Sequence, residues 1–498
     1  ISEVVLTQTG PNIIRTGLEA LRPLTQKGDD ITATIASSKL SHYDSMVRIA
    51  ALDLLRITLC KDQLSTIAPC LGDADPRVRQ QAAKTLAAYG RTGIDIAAKS
   101  LTSGQVHTVN AAITAIGLVR TKHASNLLFD YLAPSYKQLA KTRQWQPQIP
   151  ANHASWEALS AAIADYHTRL IQKVLFILAA LGHARTVNAV NRLLATNDQH
   201  ELENAIEVLA SLSHRRFIVP LMPLLEALVI AKRSVGISVG PTAQNTASGQ
   251  ISGQISGQIS GQVSGQLSSP TEEAPAAPPQ VAPPQVTHQW LKTKGYRLLL
   301  EALESNDRWI KSGALIALAR VPSTLANDPD PFVQQVVSQL FEANLPAKTA
   351  MNRLLLLKSV SLFKNLSLDE LLLIDESLEQ THVLTGATIF TEGDLAAHLY
   401  IIAEGSVQLV KEIDGLPRGL RQISRGDYFG EVALFDDAPL WDSAIAQTDC
   451  TLLKLEKNRF LSLITQRPHM ILEICRFLSQ RLRETDTYRA EQIPSVRS

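Results

Sequence analysis

The chain has 498 residues, 45% of them hydrophobic and 19% charged, with a formal net charge of +1. That length leaves room for two or three domains with buried cores, and the near-neutral balance argues against a surface built for nonspecific nucleic-acid binding. Cys60, Cys70, Cys450 and Cys475 form neither a C-x-x-C pair nor a disulfide framework, which points to a reducing, cytoplasmic setting and against a metal site.

The first segment, 1–232, reads as helices recurring at intervals of roughly thirty to forty-five residues, the period of an α-solenoid. Its clearest copy is DADPRVRQQAAKTLAAYG from Asp73, in which Asp and Pro open a helix and Val78, Ala82 and Leu86 share one face while Arg79 points elsewhere. Weaker copies begin at Asp44, Gly104 and Asp198 and, after an interruption, at Ser305 and Asp330. The pattern resembles HEAT repeats, and that resemblance implies a scaffold whose partner is another protein. Between copies, KTRQWQPQIPANHASW within 132–156 breaks the helical pattern and reads as a long loop.

The interruption spans 233–288 and contains ISGQISGQISGQVSGQLSSPTEEAPAAPPQVAPPQV. One aliphatic per four residues followed by a Pro-rich tract buries no core, so the segment reads as a disordered insertion. Helical repeats are expected to resume over 289–346.

From 347 to 498 the pattern changes to short strands joined at glycine corners. LFKNLSLDELLLI from Leu362 is a helical lead-in; strands follow in IFTEGDLAAHLYIIAEGSVQLV from Ile389, ISRGDYFGE from Ile423 and TLLKLEKNRF from Thr451. Gly393, Gly405, Gly426 and Gly430 fall at the corners, where a positive φ favours a residue without Cβ. A last helix after Gln466 carries Ile471, Ile474, Cys475, Leu478 and Leu482 as one stripe suited to fold over the strands. Its Arg476, Arg481 and Arg483 read as a solvated face.

This segment resembles a cyclic-nucleotide-binding domain of the catabolite-activator type, and its FGEVALFDDAPLWDSAIA, Phe429–Ala446, resembles that family's phosphate-binding cassette. The resemblance implies a β-roll, with Phe429, Gly430, Glu431, Val432, Ala433 and Ser443 in the pocket. It also implies backbone amides of 430–432 for the phosphate, Glu431 for the ribose 2′-hydroxyl, and cyclic AMP or cyclic GMP as the ligand. Two positions depart from the family pattern: Leu440 stands where the phosphate-binding Arg belongs, and Asp442 brings a negative charge nearby. A lost charge-assisted contact costs roughly 1.5 to 3 kcal/mol.

The fold expected for the whole chain is therefore an α-solenoid of HEAT-like repeats followed by a β-roll with flanking helices. HEAT repeats before such a roll resemble the soluble C-terminal part of bacterial ATP/ADP-carrier-like transporters, which implies a location at the cytosolic face of a membrane. The chain begins at Ile1, so an N-terminal part is expected upstream; membrane attachment would come only through it. No leader-like start and no uninterrupted apolar run of about eighteen residues is visible in the sequence.

No G-x-S-x-G, H-E-x-x-H or Walker loop is present, and Asp436 and Asp437 read as a solvated turn, so no enzyme is expected. Nor is there room after the last helix for a helix-turn-helix domain, and no nucleic-acid partner is expected. Two readings stay open. In one, a small nucleotide occupies the roll and the solenoid relays the change; in the other, the roll has lost its ligand and serves as a protein-interaction scaffold.

Overall fold

The computed structural model describes residues 1–150, 153–194, 199–237, 294–319, 321–322, 325, 327–343, 349–395, 397–413, 416–436, 438–467, 470–479 and 481–482. The chain divides into two units, one made of 1–184 with 294–498 and the other of 185–293.

The first unit opens with helices α1 (Ser2–Thr7), α2 (Pro11–Leu21), α3 (Asp30–Ser38), α4 (Ser45–Thr58), α5 (Leu64–Ile67), α6 (Pro76–Ala88), α7 (Arg91–Lys99), α8 (Val106–Val119), α9 (Lys122–Trp145) and α10 (Ala154–Leu178). Each packs on near neighbours in sequence, α4 on α6 and α6 on α8. On α6 the buried residues are Val78, Ala82, Ala83, Thr85 and Leu86, the face its spacing predicts.

The helix starts share one device. Asp44, Asp75 and Asp307 cap their helices through side-chain oxygens, and Asp330 accepts from the amides of Phe332 and Val333. The fourth residue of each following helix turns back to the loop before it: Arg48 donates to the His42 and Tyr43 carbonyls, Arg79 to those of Asp73 and Ala74, Gln334 to that of Asp328. Arg48 also pairs with Asp73, and Lys311, the fourth residue of its helix, pairs with Asp328.

The expected loop within 132–156 is instead helical through most of its length. Helix α9 runs to Trp145 with Pro134 inside it, and a short 3₁₀ turn, Gln146–Gln148, precedes α10 at Ala154. Burial decides this: Leu139, Thr142, Trp145 and Trp156 enter the core, and the Trp145 indole N–H donates to Glu301 at 3.2 Å. Among the described residues one helical stretch, Ala154–Leu193, is long and apolar enough by length and composition to cross a membrane. Gly182, at φ 110, breaks it, and thirteen α10 residues are buried.

In the second unit, α11 (Ala184–Leu194), α12 (Gln199–Ala210) and α13 (Met222–Ile237) are described, and α12 packs on α13. The first residues of the predicted insertion, 233–237, continue α13; the rest of 233–288 lies outside the described residues.

The first unit resumes with α14 (Lys294–Leu303), α15 (Arg308–Leu318), α16 (Pro331–Ala343), α17 (Ala350–Ser359) and α18 (Leu368–Asp375). Gly313 lets α15 press against α10, since a Cβ there would stand 2.7 Å from the Leu159 Cα. Among the described residues eight strands follow: β1 (Leu378–Val383), β2 (Thr388–Phe390), β3 (His398–Glu404), β4 (Ser406–Ile413), β5 (Leu416–Ser424), β6 (Tyr428–Phe429), β7 (Ser443–Ala446) and β8 (Cys450–Glu456). They form an antiparallel sandwich of two four-stranded sheets, ordered β1-β8-β3-β6 and β2-β7-β4-β5. Helix α19 (Val432–Phe435) follows β6, α20 (Lys457–Gln466) follows β8, and a further helix covers 470–479. All four glycines expected at corners have φ between 72 and 91.

Strand alternation sorts the side chains into two cores. Phe390, Ile402, Val407, Phe429, Leu440 and Leu452 fill the space between the sheets. Leu399, Ile401, Tyr428, Leu453 and Leu455 face the other way and join one continuous core with α10, α15, α17, α18 and Ile474. The stripe of the last helix departs from the expected one. Met470 and Ile474 are buried, with Phe477 and Leu478 packed beside them, whereas Cys475 and Leu482 are exposed.

Candidate functional site

The roll is anchored to the helices by a buried ionic joint. The Asp165 carboxyl in α10 accepts from the Leu368 amide, the first residue of α18, at 2.9 Å and from Arg169 Nε at 2.6 Å. Arg169 also reaches Asp307, the cap of α15, at 2.7 Å. Burial raises the Asp165 pKa, with the Arg169 guanidinium opposing the shift. Arg308 adds an ion pair to Asp369, and Arg353 holds Asp375 through two hydrogen bonds.

The cassette begins where β3 and β6 pair, Tyr400 opposite Phe429. Phe429 stacks on Tyr400 with ring centroids 5.1 Å apart and touches Phe390. Gly430 then turns the chain at φ 72; a Cβ here would stand 2.9 Å from the His398 carbonyl oxygen, so the Phe-Gly-Glu order has a steric cause. Glu431 stands at the N-cap of α19, Val432 is its first residue, and Ala433 and Leu434 are buried beneath it.

The predicted pocket residue Ser443 and the two departures, Leu440 and Asp442, follow α19 in the chain. Ser443 Oγ accepts the Glu392 amide at 2.9 Å, tying β7 to the β2 turn. The Leu440 side chain is 7% exposed and belongs to the core between the sheets, while its backbone bonds the Gly393–Asp394 turn on both sides. Asp442 is 6% exposed, and no described residue hydrogen-bonds or ion-pairs to its carboxyl. Burial raises its pKa and the Glu431 charge raises it further, while the Lys411 and Arg421 charges oppose the shift. The structure thus brings Glu431 and Asp442 within electrostatic reach of each other and puts Leu440 inside the roll.

Two cations that the sequence did not assign to the site lie beside it. Arg481 is exposed, as expected of a solvated face, and from there its Nη1 donates to the Tyr428 hydroxyl at 3.0 Å and lies 3.7 Å from Glu431 Oε1. Lys411 pairs with Glu392 at 2.7 Å, donates to the Trp441 carbonyl and sits 5.2 Å from the centre of the exposed Trp441 ring. Arg481 carries no sequence signal beyond its helix; the alternation that points Tyr428 toward the helices is the one clue to it. Arg483 lies outside the described residues. Among the described residues no His, Cys, Asp and Glu cluster is arranged to hold a metal ion.

A family model described as the cyclic nucleotide-binding domain matches residues 380–467. The chain is 34% identical over 131 residues to the cyclic AMP receptor protein of Thermus thermophilus, covering 26% of this chain and 61% of that protein. It is 33% identical over 108 residues to a cAMP-dependent protein kinase regulatory subunit of Mucor circinelloides, covering 22% and 25%. The crystal structure of the Thermus thermophilus catabolite activator protein aligns at 33% identity with a TM-score of 0.25, over 26% of this chain and 62% of that one. The chain thus spans less than two thirds of the length of each of these relatives. Its C-terminal part is a cyclic nucleotide-binding domain of the catabolite-activator type.

Proposed function

We propose that the chain is a non-catalytic regulatory module in which the roll, closed to cyclic phosphates, is fixed to a scaffold of HEAT-like repeats that takes a protein partner. The observation that carries this reading is the pair Leu440 and Asp442. The first fills the roll's interior, and the second presents a buried carboxyl beside Glu431, where the resemblance puts the anionic phosphate. A phosphodiester arriving there meets the Glu431 and Asp442 carboxyls, with the Lys411 and Arg421 charges opposing them and no guanidinium at position 440.

The repeated loop device supports the scaffold half. Arg48 with Asp73 and Lys311 with Asp328 use the same helix position on either side of the interruption, as two copies of one repeat would. The Asp165–Arg169–Asp307 joint supports coupling, because the first amide of the roll's lead-in helix donates to the carboxyl that pairs α10 with the cap of α15 through Arg169. A ligand or partner acts through this joint only by binding two of its arrangements unequally.

A thermal-shift series with cyclic AMP and cyclic GMP tests the reading. A ligand at one hundred times its Kd stabilises a fold by about 2.7 kcal/mol, a shift of several degrees in a domain this size. The expected result is an unmoved Tm at millimolar nucleotide; a saturable rise would overturn the reading.

A further inference from the structure

A second cleft lies on the opposite side of β6 from the roll's interior. Tyr428, which lines it, joins the core beneath the helices, whereas Phe429 points between the sheets. The cleft has a volume of about 370 Å³, with Lys364 from the turn after α17, Arg421 from β5 and Arg481 from the last described helical residues, 481–482, on its walls. Phe477 and Ser361 also line it.

The charges do not balance internally. Lys364 lies 5.8 Å from the Phe477 ring centre, and no described carboxylate pairs with it or with Arg421. The acid in the lining, Asp427, is committed to the Ser424 amide at 2.9 Å. With Glu431 3.7 Å from Arg481, three cations face two carboxylates, Asp427 and Glu431, a local excess of one positive charge, and the volume exceeds what a single phosphate would fill.

We propose that this cleft binds a small polyanion carrying two linked phosphoryl groups, with Lys364, Arg421 and Arg481 as its ligands. The cations come from three separate elements, so a diphosphate bridges them where a lone monoanion satisfies at most part of the set. Because Arg481 also lies 3.7 Å from Glu431, the occupant draws on the side chain that ties the C-terminal segment to the cassette.

The probe is inorganic pyrophosphate, titrated calorimetrically into the full chain at low and at raised salt. The expected result is saturable binding that weakens with salt, by about tenfold in Lys364→Ala and again in Arg421→Ala. Arg418→Ala, which removes an exposed β5 cation outside the cleft, should leave it unchanged. All three side chains are exposed, and equal Tm values confirm that the variants fold. Absence of saturable heat, or an equal loss in Arg418→Ala, overturns the proposal. Cyclic AMP binding would overturn the cassette reading and leave this one standing, so the two failures are distinguishable.

Discussion

The carboxyl of Asp165 accepts the backbone N–H of Leu368 at 2.9 Å, joining residues 203 apart in the chain. It thereby caps the lead-in helix of the roll from a helix of the N-terminal region, and it holds Arg169 in the same place.

Removing that carboxyl leaves Arg169 with one of its two partners and the Leu368 amide with none. Asp165→Ala should cost about 3 to 5 kcal/mol, as expected when one member of a buried ion pair is deleted. Urea unfolding with paired hydrogen exchange checks this: α18 should open first, and a loss below about 1 kcal/mol would show that the joint carries little.

Leu440 belongs to the core, so its replacement should behave as a packing defect. Leu440→Ala is expected to cost about 2 to 5 kcal/mol. Leu440→Arg should cost more, because a guanidinium would be buried without a partner. Denaturation midpoints measure both, and a Leu440→Arg protein as stable as the parent would place this side chain at the surface.

The Asp442 pKa is raised above its ordinary value, so the folded chain holds its proton to higher pH than the unfolded chain does. Between the unfolded value, about 3.9, and the raised folded value, stability falls as pH rises. Asp442→Asn removes that penalty. The variant should be the more stable at pH 7, with the difference shrinking toward about pH 4; a variant less stable at pH 7 would reveal a stabilising partner.

His167 works in the opposite direction. Burial, with the Arg143 charge adding to it, lowers its pKa to about 4 from 6.5, while its Nε2 contacts Thr142 Oγ1 at 2.8 Å. Below 6.5 the unfolded chain takes up the proton first, so stability drops as pH falls toward 4, by about 3 kcal/mol at most. A His167→Gln variant should flatten this part of the pH profile, and an unchanged slope would assign the acid sensitivity to other groups.

Much of this was legible in the sequence. The helix starts at Asp44, Asp75 and Asp307 and the glycine corners of the roll are local signals, fixed by capping and by φ. The stretch from Thr142 to Trp156 was misread because Gln, Pro and Asn look like loop residues, while the burial of Trp145 and Trp156 depends on partners about 150 residues away, as the Trp145–Glu301 bond shows. The cassette was legible in Phe429, Gly430 and Glu431, whose order serves the turn itself. The packing of Leu440 in the core and the bond from the Glu392 amide to Ser443 Oγ were not, because both depend on partners distant in sequence. Arg481 was hidden for the same reason, since its partner Tyr428 lies 53 residues upstream.

Calorimetric titration of the full chain with cyclic AMP, alongside Asp442→Asn, tests the central claim most directly. The account predicts no saturable heat from the parent chain at millimolar nucleotide, and at most weak binding once the Asp442 charge is removed. Micromolar, stoichiometric binding by the parent would contradict it and establish the roll as a cyclic-nucleotide sensor that works without the usual guanidinium.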